Sequence, residues 1–156
     1  MVFSTLHTND AAGAITRLID MGLEPFLVAS SVLGTMAQRL VRKICDECKE
    51  PMEVQREVLE RLGATPDRIA AWKFFQGRGC LACKETGYAG RLAISELLIM
   101  NETVRSLTNS KAPASRIKLK GREMGMRTLR EDGLEKAGQG HTTLAEVLRV
   151  TQRDEI

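Results

Sequence analysis

Cys45-Asp-Glu-Cys48 and Cys80-Leu-Ala-Cys83 hold all four cysteines of this 156-residue chain, and they constrain its fold more than any other feature. A C-x-x-C turn sets two sulfurs on one side of a tight loop, and two such turns face to face make the tetrahedral four-thiolate cage that zinc prefers. The usual gap between such pairs is roughly 15–20 residues. Here residues 49–79 intervene, which predicts an element inserted into one site. Arg42, Lys43 and Lys49 flank the first pair, and Arg78 and Lys84 the second. These cations offset the charge of a four-thiolate zinc and favour ionised sulfur. Gly79 and Gly87 permit the tight backbone around the second pair. Other readings compete with structural zinc: two disulfides, against which the expected absence of a secretory leader weighs, four unrelated core thiols, and a redox dithiol, which needs a thiol of low pKa. Four cysteines leave no open position for a catalytic zinc.

Aromatic residues make up only 4% of the chain, so the core has to be built from Leu, Ile, Val, Ala and Met. A chain of this length buries roughly two thirds of its unfolded surface, which predicts one compact domain, or a domain with a metal-held satellite. The net charge of +3, one Trp and one Tyr do not suit a dedicated nucleic-acid binder. The longest apolar stretch, 25–37, is interrupted by Ser30, Ser31 and Thr35 and is too short to span a bilayer. The expectation is a soluble, cytosolic protein.

Along the chain, 2–7 reads as a short β-type run that something precedes. Thr8, Asn9 and Asp10 offer N-cap oxygens to a helix that Gly22 ends. His7 stands at this strand-to-helix junction, a place suited to phosphate sensing. The pattern predicts a second helix over 26–37 and a strand over 38–44 that delivers Cys45. Between the cysteine pairs it predicts a helix stopped by Gly63, a short helix opened by Thr65-Pro66, and an extended return over 72–75. That insertion is expected to carry polar surface and no catalytic constellation. A turn over 86–91, a strand over 92–100, and a helix capped by Asn101 follow. The remaining helical pattern breaks near Gly121, Gly125, Gly138 and Gly140, and Thr143-Leu-Ala-Glu146 is a capping box for the last helix.

No phosphate loop, nucleophile elbow or H-E-x-x-H motif occurs, so the chain holds no complete active site of those kinds. His141 in its Gly-rich turn reads as a solvated residue. His7 is either a structural hydrogen-bonding residue or a functional base or switch. Arg17, Arg39, Arg42 and Arg91 have guanidinium forks suited to phosphate, and spacing does not choose among them.

Ser4-Thr-Leu-His-Thr-Asn9, Ile15-Thr-Arg-Leu18, Asp20-Met-Gly22 and Gln38-Arg-Leu40 run into the cysteine pairs. Gly79-Cys80, Cys83, Thr86-Gly-Tyr88, Gly90-Arg91 and Glu96 follow, then Arg130-Glu-Asp-Gly133, Thr142-Thr-Leu and Val147-Leu-Arg-Val-Thr151. Together they resemble the secretion ATPase superfamily, in particular the motors of type II secretion and type IV pilus extension. The four-cysteine module separates this branch from retraction-type pilus motors.

The resemblance implies the C-terminal part of a RecA-like P-loop ATPase domain, an α/β fold with few strands, many helices and an inserted four-cysteine zinc subdomain. It divides the chain into 1–44 (end of the ATPase core), 45–91 (zinc subdomain) and 92–156 (helical). It also implies a homo-hexamer in the cytoplasm, peripheral at the inner membrane, working with an inner-membrane platform and docking proteins and with no nucleic acid. His7 would sense nucleotide, and Cys45, Cys48, Cys80 and Cys83 would hold structural zinc. ATP and magnesium belong to the intact parent, because the Walker A and B segments precede the histidine box in this family. This chain alone is therefore expected to be inactive. The competing functions are a zinc-ribbon-like module contacting nucleic acid or a protein, and a thiol-disulfide enzyme.

Overall fold

A computed structural model describes residues 1–151. After an irregular start come α1 (Ala11–Asp20), α2 (Pro25–Ser31) and the long strand β1 (Gly34–Ile44). The short strand β2 (Lys49–Pro51) is followed by α3 (Arg56–Arg61), α4 (Pro66–Ala71) and strand β3 (Phe75–Gly77). A 3-10 turn over Leu81–Cys83 leads to β4 (Tyr88–Ile99). The described chain closes with α5 (Glu102–Asn109), α6 (Ala114–Glu123), α7 (Leu129–Gly138) and α8 (Leu144–Val150). Helices are thus mixed with two-stranded sheets, β1 with β4 and β2 with β3. Two compact units are present: residues 1–38 with 95–129, and residues 39–94 with 130–151.

In the first unit the Asp10 carboxylate accepts the Gly13 N–H at 2.7 Å and starts α1. Small buried residues, Ala11, Ala12 and Ala14 beside Ile15, let this helix pack closely on α2 and α6, which also pack on α5. Gly22, at φ +93°, ends it, with the Leu23 N–H donating to the Leu18 carbonyl. Asn101 caps α5 as its sequence predicts, accepting the Val104 N–H at 3.0 Å.

Three expectations fail in this unit. The helix over 26–37 stops at Ser31, and the residues from Gly34 join β1. An apolar run of this length does not reveal its own period, and pairing decides: the Met100 N–H donates to the Leu33 carbonyl at 3.0 Å. A Cβ on Gly34 would lie 3.0 Å from the Leu98 oxygen, so the strands approach here because that position has no side chain. The strand over 2–7 is absent, since no described strand pairs with it and a ladder needs a partner. Gly121 lies inside α6 instead of breaking it, because a Cβ would meet Leu98 Cδ1 at 2.8 Å.

The first unit also buries a carboxylate. Glu96, 1% exposed, accepts the N–H groups of Ala11 at 2.9 Å and Leu129 at 3.3 Å. These are the first residues of α1 and α7, and helix N-termini favour negative charge. Lys118 Nζ is 3.8 Å away. Burial is nevertheless the largest influence and pushes the Glu96 pKa up.

In the second unit β2 and β3 run antiparallel, with Lys49 opposite Gly77, Glu50 opposite Gln76 and Pro51 opposite Phe75. The inserted helices are not merely a polar surface. Leu59, Ala64 and Phe74 form one core with Ala137 and Val147. The Trp72 ring meets Phe74 edge-on at 6.0 Å and lies against Gly138, where any Cβ would overlap it. The predicted turn over 86–91 shortens, because Tyr88 already belongs to β4.

Candidate metal centre

The β2–β3 ladder explains how cysteines so far apart in sequence meet. Cys48 directly precedes β2, and β3 ends at Gly77, so the inserted chain leaves the first turn and returns beside it. The Arg78 N–H donates to the Cys48 carbonyl and the Cys45 N–H to the Gly87 carbonyl, both at 3.0 Å, which locks the two turns together. Gly77 and Gly87 touch backbone to backbone, and a Cβ on either would strike the other. Lys84 and Glu85 are non-glycine residues held at φ 54° and 61° just after the second pair. Such left-handed backbone costs about 1 kcal/mol or more per residue, so the surrounding contacts have to impose it.

The four sulfurs lie within 4.8 Å of one another. Cys45 and Cys80 are 3.9 Å apart, Cys48 and Cys83 3.9 Å, and Cys80 and Cys83 3.7 Å. A zinc–sulfur bond of about 2.3 Å implies a tetrahedron edge of about 3.8 Å. A disulfide needs about 2.05 Å, and all four cysteines are free thiols. The donor set and its spacing therefore fit one tetrahedral metal ion. The backbone is also prepared for thiolate charge: Gly79 N–H donates to Cys48 Sγ at 3.3 Å, and the N–H groups of Cys80 and Gly87 donate to Cys83 Sγ at 3.2 Å. Burial opposes ionisation at both sites, pushing Cys48 up to about 12. At Cys83 the two backbone donors and the neighbouring thiols overcome burial and bring the pKa down to about 6.

His7, the other candidate from sequence, belongs to the first unit. It is exposed, in the irregular segment before α1, and makes no hydrogen bond among the described residues. His141 is exposed as expected, and its backbone is used at both ends: its carbonyl accepts the Ile44 N–H at 3.0 Å and its N–H donates to the Lys136 carbonyl at 2.9 Å.

Sequence reasoning missed a second charged centre in the unit that holds the cysteines. Thr143 caps α8 by accepting the Glu146 N–H at 3.2 Å, half of the predicted capping box. The Glu146 carboxylate, 2% exposed, turns elsewhere, accepting from Arg149 Nε and Nη2 at 2.9 Å, Arg42 Nη2 at 2.8 Å and the Arg42 N–H at 3.0 Å. The Arg149 bonds above all, then those of Arg42, overcome burial and hold its pKa far below the usual carboxylate range. Arg42 also stacks over the Tyr88 ring at 4.1 Å, and the Tyr88 hydroxyl lies 2.9 Å from that of Thr143. The capping-box spacing was the one sequence signal pointing at Glu146.

This order of features, with the cysteine cage between the Gln38-Arg39-Leu40 strand and the Gly90-Arg91 strand, matches a known family pattern. The sequence profile of the type II/IV secretion system proteins matches residues 1–149. The chain belongs to that family. It is 48% identical over 151 residues to the type IV pilus assembly ATPase PilB of Thermus thermophilus, covering 97% of this chain and 17% of that protein. It is 45% identical over 154 residues to type II secretion system protein E of Pseudomonas aeruginosa, covering 99% of this chain and 30% of that protein. Against the type II secretion system ATPase E of Vibrio cholerae the identity is 44% over 152 residues, again 97% of this chain and 30% of the other. This type II/IV secretion system chain thus spans less than a third of the curated relatives it matches. No helix among its described residues is long and apolar enough to cross a membrane.

Proposed function

We propose that this chain is the C-terminal part of a hexameric motor that hydrolyses ATP to power type II protein secretion or type IV pilus assembly. The observation that carries this reading is the 44–48% identity, over nearly the whole chain, to proteins named as such ATPases. On it, 1–44 completes a RecA-like core in which His7 senses the nucleotide phosphates, 45–91 is a zinc subdomain, and 92–156 is a helical part. Cys45, Cys48, Cys80 and Cys83 hold a structural zinc, which supplies cross-linking and no catalysis, since four thiolates fill its coordination. The motor works in the cytoplasm against an inner-membrane platform. ATP and magnesium are bound by segments outside this chain, which has no phosphate loop of its own.

The reading is tested by a chimera in which this chain replaces the matched 30% of the Pseudomonas aeruginosa protein. The chimera should hydrolyse ATP and contain one zinc per subunit, Cys48→Ser should abolish both, and the isolated chain should show no magnesium-dependent turnover. A folded hexameric chimera without turnover sinks the assignment.

A further inference from the structure

Arg42, Arg149 and Arg91 line one open groove of about 490 Å³ together with Leu40 and Val41, of which Leu40 presents an exposed apolar side chain. We propose that this groove docks an acidic protein segment, two carboxylates flanking an apolar side chain, and that Arg91 is its principal anchor. The proposal is independent of nucleotide and of the motor reading.

Charge argues first. Glu146 alone engages two of these guanidiniums, so three arginines against one carboxylate leave two positive charges unbalanced. Preorganisation argues second. Glu146 grips Arg42 and Arg149 from the buried side, and Tyr88 backs Arg42, yet the arginine side chains stay 48% and 56% exposed. Their forks are thus held in place with outer N–H groups still open, the arrangement that binds carboxylates bidentately at low entropic cost. Arg91 is exposed in β4, and its guanidinium, without a hydrogen bond or ion pair among the described residues, is a free cation on the same wall. Leu40 selects the class of anion. It is 50% exposed, an apolar surface with nothing to offer inorganic phosphate but suited to an aliphatic side chain between two acids.

The test uses the zinc-loaded chain and a fluorescein-labelled peptide centred on Glu-Leu-Asp, followed by fluorescence polarisation at low salt. Binding should weaken steeply with salt, fall about tenfold in Arg91→Glu and about threefold in Arg91→Lys, and be unchanged in Arg68→Glu, an exposed cation away from the groove and the cysteines. Because the Arg91 guanidinium has no partner among the described residues, its variants should keep the wild-type melting temperature. A peptide with Ser replacing Leu should bind more weakly. Absence of binding, or binding indifferent to Arg91→Glu, overturns the proposal. So does displacement of the peptide by millimolar inorganic phosphate with no preference for Leu over Ser, which would make the groove a simple anion pocket. Sedimentation showing self-association lost in Arg91→Glu would instead assign it to a second copy of the chain, and also overturns it.

Discussion

Glu96 and Glu146 are buried almost equally, 1% and 2% exposed, one in each compact unit, yet they respond to burial in opposite directions. Glu96 receives two backbone N–H groups and stands 3.8 Å from Lys118, and desolvation prevails, raising its pKa. Glu146 receives two guanidiniums at 2.8–2.9 Å, and its pKa falls. Burial sets the size of the electrostatic stake, and the charge of the hydrogen-bond partners sets its sign. Both units have apolar cores and helix caps, but the four thiols and the Arg42–Glu146–Arg149 cluster lie in the second.

The largest effect that would sharpen this contrast comes from removing the metal. In small zinc modules the apparent binding free energy is about 10–16 kcal/mol at pH 7. Chelation should therefore abolish amide protection across 39–94 while α1 amides such as Ala14 and Ile15 remain protected. Hydrogen exchange resolved by segment checks this, and parallel loss in α1 would erase the distinction between the units.

Next in size is Glu146→Gln, which leaves two arginines without their anion. With those arginines about half exposed, the cost should be about 2–3 kcal/mol at pH 7, read by urea unfolding. A carboxylate with a depressed folded pKa contributes stability above its unfolded pKa of about 4.3 and loses it as pH falls toward the folded value. The difference between wild type and Glu146→Gln should therefore shrink below about pH 4. A pH-independent difference would mean that packing, and not charge, holds Glu146 in place.

The smallest effect belongs to Glu96 and has the opposite sign. Its raised pKa makes its contribution greatest in acid, declining as pH rises through the folded value. Carboxyl carbon NMR should place the Glu96 midpoint above, and the Glu146 midpoint below, that of an exposed glutamate. A shared midpoint would break the comparison.

What the sequence determined by itself is local or stoichiometric. Asp10, Asn101 and Thr143 cap their helices because an N-cap oxygen reaches an N–H only three residues on. The two C-x-x-C pairs announced a four-sulfur site because each turn presets two of its ligands. Tertiary structure decided whatever needed a distant partner. Residues 34–37 became strand, and 2–7 did not, because strand formation requires a neighbouring strand and composition does not supply one. Gly121 proved to be a contact point inside its helix because of Leu98, and Gly138, where α7 ends as the pattern predicts, is also the point that Trp72 covers. Glu146 looked like half of a capping box until Arg42, 104 positions away, was brought beside it. Propensity and capping act within a turn of chain, whereas ladders, buried charges and close backbone approaches are settled only when remote segments meet.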